Sequence, residues 1–255
     1  MDITSAVILG IVEGVTEFLP ISSTGHLILA SHLLGIEQSV FVKSFEIAIQ
    51  LGAIAAAAFL YWRLFLRPDL LKRIAIAFIP TAIAGLVFYN AVKNLFLENE
   101  YVVLGALLLG GAALILFEIF HGEKEGSEED LSKITYLQSL LIGCFQAVAI
   151  IPGVSRSAAT IVGGLVLGVS RTSIVEFSFI LAMPTMVAAT SFDLLQNASA
   201  FGSADLRMLL VGFAVSFIVA IVSIKFLLYY VKSHTFISFG IYRILIAVLF
   251  FALVL

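Results

Sequence analysis

Seven side chains able to move a proton, grip a phosphate or hold a metal stand within fifteen positions, Glu13–Leu27, in the order EGVTEFLPISSTGHL. Glu13 and Glu17 are four apart, so they share one face of a helix. Two carboxylates so placed can bind a divalent cation or act as a base. Ser22, Ser23, Thr24 and His26 follow Pro20, at the start of a second helical piece. Free backbone N–H groups and the positive dipole end there favour an anion. Ser22 reads most simply as the helix cap. Ser23 and His26 are three apart and can lie side by side, as a nucleophile with its base. His32, His121 and His234 lack such neighbours and read as structural.

A weaker copy follows half a chain later at Gln146–Thr160, QAVAIIPGVSRSAAT. Arg156 is the only arginine or lysine in Gly143–Gly168. It too stands at a half-helix start, between Ser155 and Ser157, with Thr160 four residues on. A guanidinium, hydroxyls and helix N-terminal amides together form a phosphate-binding set. Neither a P-loop, a GxGxxG after a strand nor an H-E-x-x-H occurs, so nucleotide-driven pumps and zincins lack support.

Both stretches lie in a very apolar chain. Of 255 residues, 61% are hydrophobic and 12% charged, with a mean hydropathy of +1.13. Soluble domains are nearer a quarter charged, so the composition implies an integral membrane protein. Ionisable groups at membrane depth are costly, and their default reading is functional. The net charge of −3 includes no basic tract for nucleic acid. The single cysteine, Cys144, excludes an intramolecular disulfide and reads as a small buried side chain. No cleavable signal peptide is evident at MDITSAVILG.

The fold class that follows is an all-α polytopic membrane protein. Six runs are long enough to span: Phe45–Trp62, Ile74–Val92, Tyr101–Phe120, Ile174–Leu195, Leu206–Tyr230 and Phe236–Leu255. Two more, Ile3–Leu34 and Tyr136–Val169, are interrupted at Pro20–Ser23 and Pro152–Ser155. Proline ends or kinks a helix, so each is expected to be a re-entrant helical hairpin. The acidic segment His121–Lys133, with five acids and two lysines, reads as a solvated loop.

The halves resemble each other. A shift of 133 places Gly10 on Gly143, Glu13 on Gln146, Ser22 on Ser155 and Thr24 on Ser157, and a shift of 132 places Phe45 on Phe177. Residues 1–133 and 134–255 are then two repeats, each a hairpin and three spans. An odd number of spans inverts the second repeat relative to the first, within one membrane domain, and broken helices of such folds meet near the bilayer midplane. Loop charges set Arg63, Arg67, Lys72, Arg73, Lys124, Lys133, Arg171 and Lys232 against Lys43, Lys93 and Arg207. The richer side is cytoplasmic by the positive-inside rule, which puts both termini and the mouth of the first hairpin outside. A cavity with acids on one wall and an arginine on the other suits a phosphorylated lipid whose tail stays in hydrocarbon. Small residues four apart, Gly10 with Gly14 and Gly164 with Gly168, can pack helices within one chain or in a homodimer.

EGVTEFLPISSTGHL and PGVSRSAAT closely resemble the two signature motifs of the bacitracin-resistance type of undecaprenyl-diphosphate phosphatase. FEIAIQLG at Phe45–Gly52, GCFQ at Gly143–Gln146, GVSR at Gly168–Arg171, EFSFILAMP at Glu176–Pro184 and IYR at Ile241–Arg243 extend the likeness over nearly the whole chain. The resemblance implies an enzyme of the cell membrane that removes the terminal phosphate of undecaprenyl diphosphate and regenerates the carrier lipid for peptidoglycan synthesis. It implies functional roles for Glu13, Glu17, Ser23, His26 and Arg156, phosphate contacts from Ser155, Ser157 and Thr160, and a divalent cation, Mg²⁺ or Ca²⁺. Ala158 departs from the family, which commonly has glycine there. The attacking group stays open among Ser23, His26 and water, with Ser23 assisted by His26 preferred. Architecture by itself would favour a lipid or ion transporter or flippase with Glu13, Glu17 and Arg156 as its coupling site. The hydroxyl, histidine and arginine set, with the resemblance, favours hydrolysis.

Overall fold

A computed structural model describes residues 1–37, 39–91, 100–121, 131–197 and 203–254. Most of the acidic loop, together with Lys93 and Lys124, lies outside them. The described residues form ten α-helices and no strand: α1 Ile3–Thr16, α2 Ser23–Leu33, α3 Val40–Tyr61, α4 Pro68–Ala91, α5 Glu100–Phe120, α6 Tyr136–Ala147, α7 Arg156–Val166, α8 Arg171–Asn197, α9 Ser203–Tyr230 and α10 Ile237–Val254.

Local chemistry sets the ends. Asp2 caps α1 by accepting from the Ser5 N–H at 2.8 Å, and Thr135 with Gln138 forms a capping box on α6. Pro68 opens α4, where its missing N–H costs nothing. The expected interruptions fall between α1 and α2 and between α6 and α7, the latter with a short 3₁₀ turn at Val148–Ile150. Among the described residues, five helices are long and apolar enough to cross a membrane. The sixth expected span, α10, is shorter, but 18 residues rise about 27 Å, close to the hydrocarbon thickness. Large apolar side chains such as Leu86, Leu109, Phe120, Leu195 and Leu245 cover the exterior, as a lipid solvent requires.

Lipid supplies little hydrophobic drive between helices, so close packing must hold them, and small residues permit it. The first arm of each hairpin packs on the middle span of the other half: α1 on α9 and α6 on α4. A Cβ added at Gly10 would stand 2.8 Å from the Gly212 carbonyl oxygen, and one at Gly143 would overlap that of Ala77. Gly14 meets Ser216 and Val219 of α9 in the same way, while Gly164 is closed by Ile174. These small residues therefore serve contacts within the chain, except Gly168, which ends α7 with φ +83° and has no neighbour within 4 Å of a built Cβ. Cys144 is exposed, contrary to the expectation of burial. The helical step of about 100° that turns Gly143 into α4 carries the next residue outward. His121 and His234 stack on Phe117 and Tyr230.

Candidate active site

Each break is completed by a serine in the left-handed region, Ser22 at φ 72° and Ser155 at φ 74°. Only these two non-glycine residues adopt it among the described residues. Such conformations cost roughly 1–3 kcal/mol each and persist where surrounding structure holds them. Ser155 caps α7, accepting from the Ala158 N–H at 3.3 Å. Ser22 makes no side-chain cap bond, which corrects its reading as a simple cap. The first-turn N–H groups of α2 are left without a side-chain acceptor from it.

The first residues of the two second arms, Ser23 and Arg156, converge on one carboxylate. Ser23 Oγ donates to Glu17 Oε2 at 2.7 Å. Arg156 Nη2 donates to Glu17 Oε1 at 2.9 Å, across 139 positions of sequence. Arg156 Nη1 donates to the Ser178 carbonyl at 3.0 Å, and its guanidinium lies over the Phe18 ring. Arg156 Nε is buried without an acceptor. Ser157 Oγ donates to the Leu19 carbonyl at 2.8 Å, a second tie between the hairpins. Thr160 Oγ1 sits 2.6 Å from Ser178 Oγ and 3.0 Å from the carbonyl oxygens of Arg156 and Ser157. Ser157 and Thr160 thus brace the site with hydroxyls already engaged, whereas Thr24 is half-buried.

His26 does not pair with Ser23. Its Nδ1 lies 2.7 Å from the Ser22 carbonyl oxygen. A carbonyl only accepts, so Nδ1 carries the hydrogen. Nε2 lies 3.0 Å from the Tyr242 hydroxyl, with the two rings parallel to within 4°. Glu17 reaches Ser23 because the break folds it back over the start of α2, while the α2 twist turns His26 toward α10. Glu13 is 0% exposed, and neither carboxylate oxygen has a hydrogen-bond partner. It lies within electrostatic reach of Glu17, Glu46 and Arg156.

Three contributors stand in motifs quoted above only for the likeness, with no role assigned to them from the sequence. Ser178 of α8 supports Arg156 and Thr160. Tyr242 holds His26, and Arg243, 0% exposed, donates to carbonyls of both breaks. An arginine inside the apolar run Phe236–Leu255 was the available signal. No group of three or more His, Cys, Asp or Glu that could hold a metal occurs among the described residues.

The chain matches known proteins over nearly its whole length. The family described as bacitracin resistance protein BacA matches residues 6–249. An undecaprenyl-diphosphatase of Sulfurihydrogenibium sp. (strain YO3AOP1) is 53% identical over 98% of this chain and 99% of its own length. Those of Persephonella marina and Aquifex aeolicus are 49% and 48% identical, covering 100% and 97% of this chain and 100% and 96% of their own.

Proposed function

The chain belongs to the bacitracin resistance protein BacA family, and from that premise we propose that it is a membrane phosphatase hydrolysing undecaprenyl diphosphate to undecaprenyl phosphate and inorganic phosphate. The observation that carries this reading is the Ser23–Glu17–Arg156 chain of bonds, which joins a hydroxyl, an acceptor for its proton and a phosphate-binding cation. The role is recycling of the carrier lipid for cell-wall synthesis, in the cell membrane. The two hairpins belong to inverted repeats. Support comes from the matched positive-φ serines and the reciprocal packing of α1 on α9 and α6 on α4.

The terminal phosphate enters from the outer face, beside the first turns of α2 and α7. Arg156 turns its Nη2 and its unpaired Nε to the phosphate oxygens, leaving Glu17 to take the Ser23 proton. The α2 amides, Thr24, Ser22 and Ser155 complete the anion contacts. Ser23 Oγ attacks the terminal phosphorus, and the bond to the bridging oxygen breaks. Undecaprenyl phosphate departs with that oxygen, and water then cleaves the serine phosphoester. Arg156 stabilises the charge spread over the equatorial oxygens. His26 assists by holding the Ser22 carbonyl, which fixes the strained residue ahead of Ser23.

A divalent cation fits the residues. Glu13 offers two buried oxygens without partners, and hard cations take carboxylate oxygens. Glu13 and Glu17 would hold Mg²⁺ or Ca²⁺. Such an ion supplies charge neutralisation at the phosphate.

Tyr242→Phe keeps the ring stacking and removes the hydroxyl from His26. Its kcat is expected to fall about 5–10-fold, the effect of one ordinary hydrogen bond, measured by steady-state phosphate release. The function itself is tested with detergent-purified protein and a polyprenyl diphosphate. Stoichiometric release of inorganic phosphate is expected. A lipid carrier would release none, and that result would overturn the assignment.

A further inference from the structure

We propose that Arg243 is a positioning residue that sets both re-entrant breaks in register and thereby fixes the distance between Glu17 and Arg156. The inference rests on the phosphatase reading.

The guanidinium stands in the middle of α10 and is wholly buried. Nη1 donates to the carbonyls of Val154 at 2.9 Å and Pro20 at 3.4 Å. Nη2 donates to those of Gly153 and Ala106, each at 2.9 Å. Nε completes the set with the Leu107 carbonyl at 3.5 Å. Five N–H donors thus meet five carbonyl oxygens, the whole capacity of the group. Among the described residues no carboxylate bonds it. Three of the acceptors belong to the interruptions, Pro20 in the first and Gly153 and Val154 in the second. Irregular backbone at membrane depth must find donors inside the protein, and here one side chain serves both interruptions. The other two acceptors, on α5, anchor the clamp to a spanning helix.

A buried cation without a counter-ion is costly. Only a rigid planar fork can reach carbonyls on three segments at once, which a lysine ammonium does not do. The consequence for the site is geometric. Glu17 lies three residues before Pro20, and Arg156 lies two after Val154. Fixing those carbonyls relative to each other fixes the Glu17–Arg156 contact at 2.9 Å. The fold reserves room for this. A Cβ at Gly110 would overlap Arg243 Nη2, and one at Gly111 would stand 3.1 Å from Arg243 Cβ.

The test uses the full chain purified in detergent, with kcat per folded molecule and KM measured separately on a polyprenyl diphosphate. Arg243→Lys keeps the charge and loses the fork. Gly110→Ala keeps the arginine and pushes it off Ala106 and Gly153. Each is expected to lose about 10–100-fold in kcat, as misplacement near 1 Å does, with KM within about threefold of the parent. If Arg243→Lys does not fold, Gly110→Ala decides alone. Folded variants with parental kcat, or a raised KM at parental kcat, would overturn the positioning role. An inactive parent protein would instead defeat the phosphatase reading itself.

Discussion

Replacing Arg156 with alanine is expected to reduce polyprenyl diphosphate hydrolysis by about 10³-fold or more, the range in which an arginine acts on a transferring phosphoryl group. Arg156 is the one cation on the second hairpin, and its Nε has no acceptor while Nη2 holds Glu17. Removal therefore deletes the anion grip and leaves Glu17 buried without its counter-charge, which costs about 3–5 kcal/mol of stability where such pairs are broken. The activity loss must be read on protein shown to be folded by size-exclusion chromatography. Arg156→Lys separates the effects, since it keeps the charge without the fork. It should fold and run at least about tenfold below the parent. Full activity in a folded Arg156→Ala protein would move the phosphate site elsewhere.

The second large effect falls on Ser23. Ser23→Ala deletes the attacking oxygen but leaves the Glu17–Arg156 pair, so stability should change little. Turnover is expected to drop by about 10³-fold or more, as when a covalent nucleophile is removed and only binding and charge stabilisation remain. That corresponds to roughly 4 kcal/mol of barrier. A single-turnover quench with substrate labelled in the terminal phosphate should put label on the parent protein and none on the variant. A variant within about tenfold of the parent would assign the attack to water or to His26.

Much of this was legible in the chain. Pro20 and Pro152 break apolar runs at matching places with serines close behind, whereas Pro80 and Pro184 are carried inside α4 and α8, so the proline together with its polar neighbours made both hairpins readable. Glu13, Glu17 and Arg156 stood out because charge in hydrocarbon needs a reason. The partners were harder. Helical spacing put Ser23 beside His26, but the break, whose path local periodicity does not encode, folds Glu17 back onto Ser23. Ser22 looked like a cap because serine usually is one, but it holds that position at φ 72° without a side-chain bond. Tyr242 lies 216 positions from His26, and Arg243 lies 223 from Pro20. Contacts of that separation depend on how α5 and α10 pack, which no local pattern specifies. Cys144 shows the same limit, since an apolar run does not say which of its faces meets lipid.

The central claim is that both hairpins build one phosphate site around Glu17. Its most direct test is an experimental structure of the protein with a non-hydrolysable polyprenyl diphosphonate. The terminal phosphorus is expected between the starts of α2 and α7, with Arg156 on its oxygens and Ser23 Oγ in line with the bridging bond. A terminal phosphorus bound away from Arg156, or aligned with His26 Nε2 instead of Ser23, would contradict it.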